Sequence, residues 1–167
     1  MRPHVKRITI SAMLLAISVI FGFFKIPLSQ VSEIRLQFLP VAVEGAVYGP
    51  LYGGIVGGLS DILCYIARPT GPFFPGFTIS AVIQGVIYGL ILRKGHSLKR
   101  VMAAQAVDCI VISMILNPIW LYFLYGMGFA ALFSARLIKV LVMYPINVAL
   151  IMIVIKPCKR YLGGRDL

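Results

Sequence analysis

The chain has 167 residues, of which 60% are hydrophobic and only 13% are charged, and its mean hydropathy is +0.95. Soluble domains carry about 25% charged residues, so the composition excludes an ordinary soluble domain and predicts a protein that lies in a bilayer. The formal net charge is +11. The cations flank apolar runs and form no patch of their own, which favours lipid headgroups and membrane topology over nucleic acid as partners.

The apolar runs predict an all-α integral membrane protein with six transmembrane helices, because about 20 apolar residues cross the hydrocarbon core of a bilayer. The length suits a single membrane domain that covers residues 1–167. The second span is short, and the fifth and sixth contain Pro118 and Pro145. In chain order the predicted spans are 8–24, 36–48, 51–67, 77–92, 98–124 and 130–155.

The distribution of the cations predicts the orientation of these spans. With six spans, the two termini and the loop between spans four and five share one side, and they carry Arg2, Lys6, Arg7, Arg93, Lys94, Lys99, Arg100, Lys156, Lys159, Arg160 and Arg165. The opposite side carries Lys25, Arg35 and Arg68, with Arg136 and Lys139 just inside span six. By the positive-inside rule both termini are cytoplasmic, and the loops 25–35, 68–76 and 125–129 face outward.

Span one contains two small residues four apart, Ala12 and Ala16. Small residues at this spacing lie on one helix face and let another backbone approach closely. The neighbour is either a second helix of this chain or a partner protein, and the spacing alone does not choose between them.

Span three carries a stripe of residues four apart, which therefore share one helix face. Gly49, Gly53 and Gly57 come first and predict close packing against a neighbouring helix, and Asp61 and Tyr65 follow on the same face. A carboxylate at membrane depth is costly and is usually kept for binding or transport. The alternative for Asp61 is a structural charge, with Arg136 as its partner.

The outward loop after span three is stiff and aromatic, since residues 68–77 hold three prolines and the adjacent pair Phe73 and Phe74. Prolines fix the backbone, and the phenylalanines offer flat apolar surfaces. Together with Asp61 and Tyr65, this loop predicts a small-molecule pocket that opens to the outer face of the membrane.

Further polar residues lie within the spans. Gln84 in span four and Asn117 in the outer half of span five are candidate ligand contacts. Asp108 lies nine residues before Asn117, which places the two on opposite sides of a straight helix unless Pro118 bends it. We therefore interpret Asp108 as structural. Glu44 in span two is a further buried acid that the sequence does not place.

Four cations lie near the mouth of this predicted pocket, namely Arg35, Arg68, Arg136 and Lys139. Arginine matches the geometry of carboxylates, whereas Asp61 can accept two parallel N–H bonds from a heterocycle. This combination predicts a planar ligand with an N–H donor edge at one end and carboxylates at the other. The alternative for Arg136 and Lys139 is that they are interfacial cations that reach to the headgroups.

No motif in the sequence indicates a metal site, a cofactor site or a catalytic site. The three cysteines and two histidines follow no metal-ligand spacing, and no nucleophile and base form a recognisable pair. We therefore predict no metal site, no cofactor and no enzymatic activity.

Five segments of the chain form an ordered set of motifs, namely residues 34–40, residues 48–54, Gly58-Leu59-Ser60-Asp61, residues 69–78 and Arg136-Leu137-Ile138-Lys139. Together they resemble the substrate-binding S-component of energy-coupling factor (ECF) vitamin transporters, folate family. The resemblance covers nearly the whole chain, and the Ala12 and Ala16 pair matches the docking motif in the first helix of that family.

The resemblance implies six helices, a ligand held near the outer surface under the outward loops, and location in a prokaryotic plasma membrane. It also implies a transmembrane coupling protein, which the first-helix alanines touch, and two ABC-type ATPases as partners. This chain indeed lacks the phosphate-binding motif of such ATPases. The implied function is capture of folate from outside, after which the S-component topples in the membrane to release it inside.

Two alternatives to folate capture are kept. The first is the same role for another heterocyclic vitamin or precursor, because Glu44 stands where a small or apolar residue is expected. The second is a stand-alone secondary carrier that couples to protons through Asp61, Asp108 or Glu44, although the two halves of the chain show no repeat of the kind common in such carriers. A purely structural membrane subunit is disfavoured by the aromatic loop and the buried polar residues.

Overall fold

A computed structural model describes residues 3–29, 32–69, 73–95, 97–126 and 129–162. Within these ranges the chain is helical apart from one short hairpin. The elements are α1 (Pro3–Phe23), β1 (Lys25–Ser29), β2 (Ser32–Arg35), α2 (Phe38–Tyr48), α3 (Pro50–Ala67), α4 (Pro75–Leu92), α5 (Leu98–Asp108), a π-helical segment (Cys109–Leu116), α6 (Asn117–Tyr125) and α7 (Phe129–Leu162).

Five helices of the described chain are long and apolar enough to cross a membrane, which confirms a helical membrane protein. Large apolar side chains point outward from them; Leu141 is 74% exposed and Ile66 is 71% exposed. Exposure on this scale suits lipid and not water, because lipid offers an apolar medium to such side chains. The five segments are Val5–Phe23, Pro50–Ala67, Pro75–Leu92, Leu98–Leu124 and Lys139–Cys158.

The segment 25–35, predicted as a loop, instead contains an antiparallel hairpin. Lys25 pairs with Arg35 and Ile26 with Ile34, and the ladder is irregular after Pro27. Alternation of apolar and polar residues is weak over so short a segment, so the sequence pattern alone did not indicate it. The hairpin forms the connection between the end of α1 and the start of α2.

Helix α2 lies at the centre of the bundle. Its 11 residues span about 16 Å at 1.5 Å per residue, which is shorter than the hydrocarbon core of a bilayer. Every residue from Phe38 to Ala46 is buried, and the helix packs against α1, α3, α4 and α7. A helix that is buried on all sides does not present a lipid-facing surface, so its shortness leaves no apolar surface mismatched with the bilayer.

Glycines bring α2, α3 and α4 into backbone contact. A Cβ atom added at Gly85 would lie 2.0 Å from the carbonyl oxygen of Gly53, and one added at Gly45 would lie 2.7 Å from the backbone nitrogen of Gly89. A Cβ at Gly57 would lie 2.4 Å from the carbonyl oxygen of Ala81. The prediction that the glycine stripe of span three packs closely against a neighbouring helix is thus confirmed, and that neighbour is α4.

The fifth predicted span is not one straight α-helix. The eight residues Cys109–Leu116 form a π-helix, in which the Asn117 N–H donates to the carbonyl of Ile112, five residues earlier. Pro118 has no N–H and its ring clashes with a carbonyl four residues back in an α-helix, so the wider turns occur where the proline would otherwise break the helix. The straight-helix argument that separated Asp108 from Asn117 therefore does not apply.

Hydrogen bonds fix one face of α1 against α2. The Ser11 hydroxyl donates to Oε1 of Glu44, and the Ser18 hydroxyl donates to the backbone carbonyl of Gln37 at 3.1 Å. The two contacts show that α1 and α2 run antiparallel. They also show that Glu44, which is fully buried, lies at the contact between α1 and α2. Ala12 and Ala16 lie on another face of α1 and are exposed.

The glycine contact gives a stability prediction. We expect Gly85→Ala to lower the melting temperature of the detergent-solubilised protein, because the new methyl group overlaps the Gly53 backbone and overpacking costs about 1–3 kcal/mol. Gly58→Ala is the matched control: there the added Cβ meets only the Cγ2 methyl of Val82, an exposed side chain, and no backbone atom. Equal melting temperatures for the two variants would contradict the backbone contact.

Candidate functional site

The end of α3 and the start of α4 bring a carboxylate, a hydroxyl and aromatic rings together. Asp61 on α3 is half-buried and accepts a hydrogen bond of 2.9 Å from the Thr78 hydroxyl on α4. One helical turn further along α3, the ring of Tyr65 packs on that of Phe73, with centroids 5.0 Å apart and planes inclined at 57°. The face that carries the glycines therefore does continue into a polar and aromatic region.

A second aromatic group extends this region to α6. The ring of Phe74 lies 5.6 Å from that of Trp120 and 6.0 Å from that of Phe77. The indole N–H of Trp120 donates to the Ser80 hydroxyl at 3.0 Å. A Cβ at Gly76 would lie 2.4 Å from Phe74 and 2.6 Å from Trp120, so only glycine leaves room for the two rings at this position.

Two of the predicted cations lie in the connections next to this region. Arg68 is exposed and donates from its guanidinium to the backbone carbonyl of Phe23 at 3.3 Å, which joins the end of α3 to the end of α1. Arg35 ends β2 opposite Lys25, and its side chain lies outside what the structure describes. Their contact with a ligand stays a prediction.

Gln84 points elsewhere. Its amide donates to the Asp108 carboxylate at 2.8 Å, and one turn further along α4 the Tyr88 hydroxyl donates to Gln105 at 3.0 Å. Asp108 is only 5% exposed. These hydrogen bonds join α4 to α5 away from Asp61, so they fit the structural interpretation of Asp108, and they engage the Gln84 side chain that we predicted as a ligand contact.

The remaining predicted residues lie on α6 and α7. Asn117 is half-buried at the start of α6, directly after the π-helical segment. Arg136 is buried and Lys139 is half-buried, and, three residues apart, they share one face of α7. Helix α7 packs against α2, α5, the π-helical segment and α6. Direct contact of these three with a ligand stays a prediction.

Sequence reasoning missed three residues of this region. Thr78 lies within the segment 69–78 that carries the resemblance, but its spacing gives no sign that it pairs with Asp61, nor does spacing single out Ser80 or Trp120. Each acts through a neighbour on another helix, and spacing within one helix does not reveal such a contact. The one available signal was Trp120, the only tryptophan of the chain, two residues after Pro118.

This arrangement contains groups that can recognise a planar ligand. A carboxylate held by a hydroxyl can accept hydrogen bonds from two N–H groups of a ligand, and the rings of Tyr65, Phe73, Phe74 and Trp120 offer surfaces for a planar heterocycle. In the described part of the chain, no group of three or more His, Cys, Asp or Glu side chains could hold a metal ion.

Several known proteins are similar to this chain. Residues 6–155 match the family model described as "ECF transporter, substrate-specific component". A relative from Clostridium novyi named "Folate transporter FolT" is 38% identical over 141 residues, which cover 84% of this chain and 82% of the relative. A protein of the same name from Leuconostoc mesenteroides is 28% identical over 152 residues, with 87% and 82% covered.

Two solved structures have similar folds. A crystal structure of FolT bound with folic acid superposes with a TM-score of 0.83 at 32% identity and covers 90% of this chain and 94% of its own. The S-component for biotin from an ECF-type ABC transporter superposes with a TM-score of 0.67 at 23% identity, with 99% and 96% covered, and supports the fold alone. With a family model that covers most of its length and a relative at 38% identity, the chain belongs to the family of substrate-specific components of ECF transporters.

Proposed function

We propose that this chain captures folate at the outer face of the membrane and delivers it through an ATP-driven ECF transporter. Two curated relatives are named folate transporters, and the structural relative at 32% identity holds folic acid. The observation in this chain that carries the proposal is the carboxylate of Asp61 beside a set of aromatic rings.

The chemistry of folate matches that arrangement at both ends. Its pterin is planar and presents N–H donors along one edge, which suit the two oxygens of Asp61, and Thr78 fixes the orientation of the carboxylate. Tyr65, Phe73 and Phe74 offer surfaces to the flat faces of the pterin. The other end of folate carries glutamate carboxylates, which suit cations nearer the mouth.

We assign the other candidate residues on the same grounds. Arg35 and Arg68, in the outward connections, attract the glutamate end, and Arg136 and Lys139 add positive charge from α7. Gln84 and Asn117 stay as predicted polar contacts, of which Gln84 would have to exchange its bond to Asp108 for the ligand.

The transport cycle needs partners that this chain does not supply. We propose that it spans the plasma membrane of a prokaryote six times as a single domain, with both termini in the cytoplasm, and that a transmembrane coupling protein links it to two ABC-type ATPases. The exposed Ala12 and Ala16 face of α1 supports this docking, because its small side chains allow close approach of another helix. The chain itself is proposed to be non-catalytic.

The proposed function is tested by folate binding and by transport. We expect the purified chain to bind folate with 1:1 stoichiometry in a calorimetric titration, and we expect liposomes to accumulate folate only when the coupling protein, the ATPases and ATP are present. Tight binding of a different heterocyclic vitamin, with none of folate, would refute the substrate. Uptake by this chain alone under a proton gradient would identify a secondary carrier.

Substitution of Asp61 tests its proposed contact with the ligand. We expect Asp61→Asn to weaken folate binding by about 10- to 150-fold, because loss of a charged hydrogen-bond partner in a desolvated site costs roughly 1.5–3 kcal/mol. Glu44→Gln is the matched control, since it also removes a carboxylate within the bundle, but one that contacts Ser11 of α1. Equal affinities of the two variants would show that Asp61 does not contact the ligand.

Substitution of Ala16 tests the proposed docking of α1 on the coupling protein. We expect Ala16→Leu to prevent assembly with the coupling protein in co-purification while folate affinity stays at the wild-type value, because the larger side chain holds the partner helix away. Ala149→Leu is the control, as Ala149 is also an exposed alanine but lies on α7. Loss of folate binding in Ala16→Leu alone would instead mean that this face packs within the chain.

A further inference from the structure

A cleft of about 600 Å³ lies where α4 ends, α5 begins and α7 passes alongside. Three of its lining residues are cations, Lys94, Arg100 and Lys156, and all three are exposed. Leu98 and Met152 add apolar surface. The cleft thus combines positive charge with an apolar wall, and it is separate from the region around Asp61.

The positive charge of this cleft is not neutralised within the described part of the chain. The whole chain has five acidic residues. Glu44, Asp61 and Asp108 bond to Ser11, Thr78 and Gln84 on other faces of the bundle. Glu33 lies in β2, and Asp166 lies outside the described residues. Three cations around one cleft repel each other, so an anion from outside the chain would stabilise them.

The backbone at the turn after α4 places Arg100 at this cleft. Gly95 has φ +155°, and a Cβ atom there would lie 3.0 Å from a terminal guanidinium nitrogen of Arg100. The absence of a side chain at Gly95 therefore lets Arg100 fold over the turn. A guanidinium can bind phosphate through two parallel N–H bonds, whereas lysines act on it as point charges.

The height of the cleft in the membrane indicates the kind of anion. The spanning segments Pro75–Leu92, Leu98–Leu124 and Lys139–Cys158 have one end within a few residues of Lys94, Leu98 and Lys156 respectively. The ends of spanning helices lie at the headgroup layer, and basic pockets between such helices bind anionic headgroups. A lipid phosphate is held at this depth by its own acyl chains, whereas a free phosphate ion is not.

We propose that this cleft binds the phosphate of an anionic phospholipid headgroup, with Arg100 as the bidentate ligand, Lys94 and Lys156 as flanking charges, and Leu98 and Met152 against the start of the acyl chains. The site does not depend on the identity of the transported vitamin. A lipid bound there contacts both the connection between α4 and α5 and the helix α7.

Native mass spectrometry of the detergent-solubilised chain tests the proposal, with phosphatidylglycerol and phosphatidylcholine added at equal concentration. We expect bound phosphatidylglycerol to exceed phosphatidylcholine, and we expect Arg100→Gln/Lys156→Gln to reduce the phosphatidylglycerol affinity by about fivefold for each cation removed. The matched control is Arg7→Gln/Lys99→Gln, which removes the same charge from residues that do not line the cleft. Arg100→Gln alone serves if the double variant does not fold, as judged by its thermal unfolding.

Three results would overturn the proposal. Equal loss of phosphatidylglycerol in the cleft variant and in the control would mean a diffuse effect of net charge. Equal binding of phosphatidylcholine would mean that the anionic phosphate is not recognised. Displacement of phosphatidylglycerol by millimolar inorganic phosphate, together with equal stabilisation of the protein against heat by that ion, would mean that the cleft takes a free anion.

Discussion

The close contact of backbones among α2, α3 and α4 is the constraint on which the rest of the molecule depends. At Gly53 and Gly85 the helices approach until a methyl group no longer fits between them. This fixes α4 beside α3 along its length, so Thr78 comes within hydrogen-bond distance of Asp61. The connection between the two helices is then short and must carry its phenylalanines over the same end of the bundle.

Features that arise within one helix could be predicted from the sequence. The spacing of Gly49, Gly53 and Gly57 indicated the close contact, and the same spacing placed Asp61 and Tyr65 on the face that leads to the aromatic region. The apolar runs predicted the spanning helices to within a few residues at most ends, although α7 extends beyond its predicted span to Leu162. These features depend on periodicity and length, which a single sequence contains.

Features that depend on a partner far along the chain could not be predicted in this way. Glu44 remained unplaced because its hydrogen-bond partner, Ser11, lies 33 residues away on another helix. The hairpin of residues 25–35 depends on pairing across a turn with little alternation, and Trp120 meets Phe74 only once α6 lies against α4. The π-helical segment depends on which carbonyl each N–H selects, and side-chain periodicity does not report that choice.

The contacts of Trp120 with Ser80 and Phe74 depend on the number of residues in the π-helical segment. Each residue of an α-helix turns the chain by about 100°. One residue more or fewer between Asp108 and Pro118 would therefore rotate α6 about its axis by about that angle. Trp120 would then leave both Ser80 and Phe74. The number of residues in this segment, and not only their identity, therefore decides which side chains of α6 face Ser80 and Phe74.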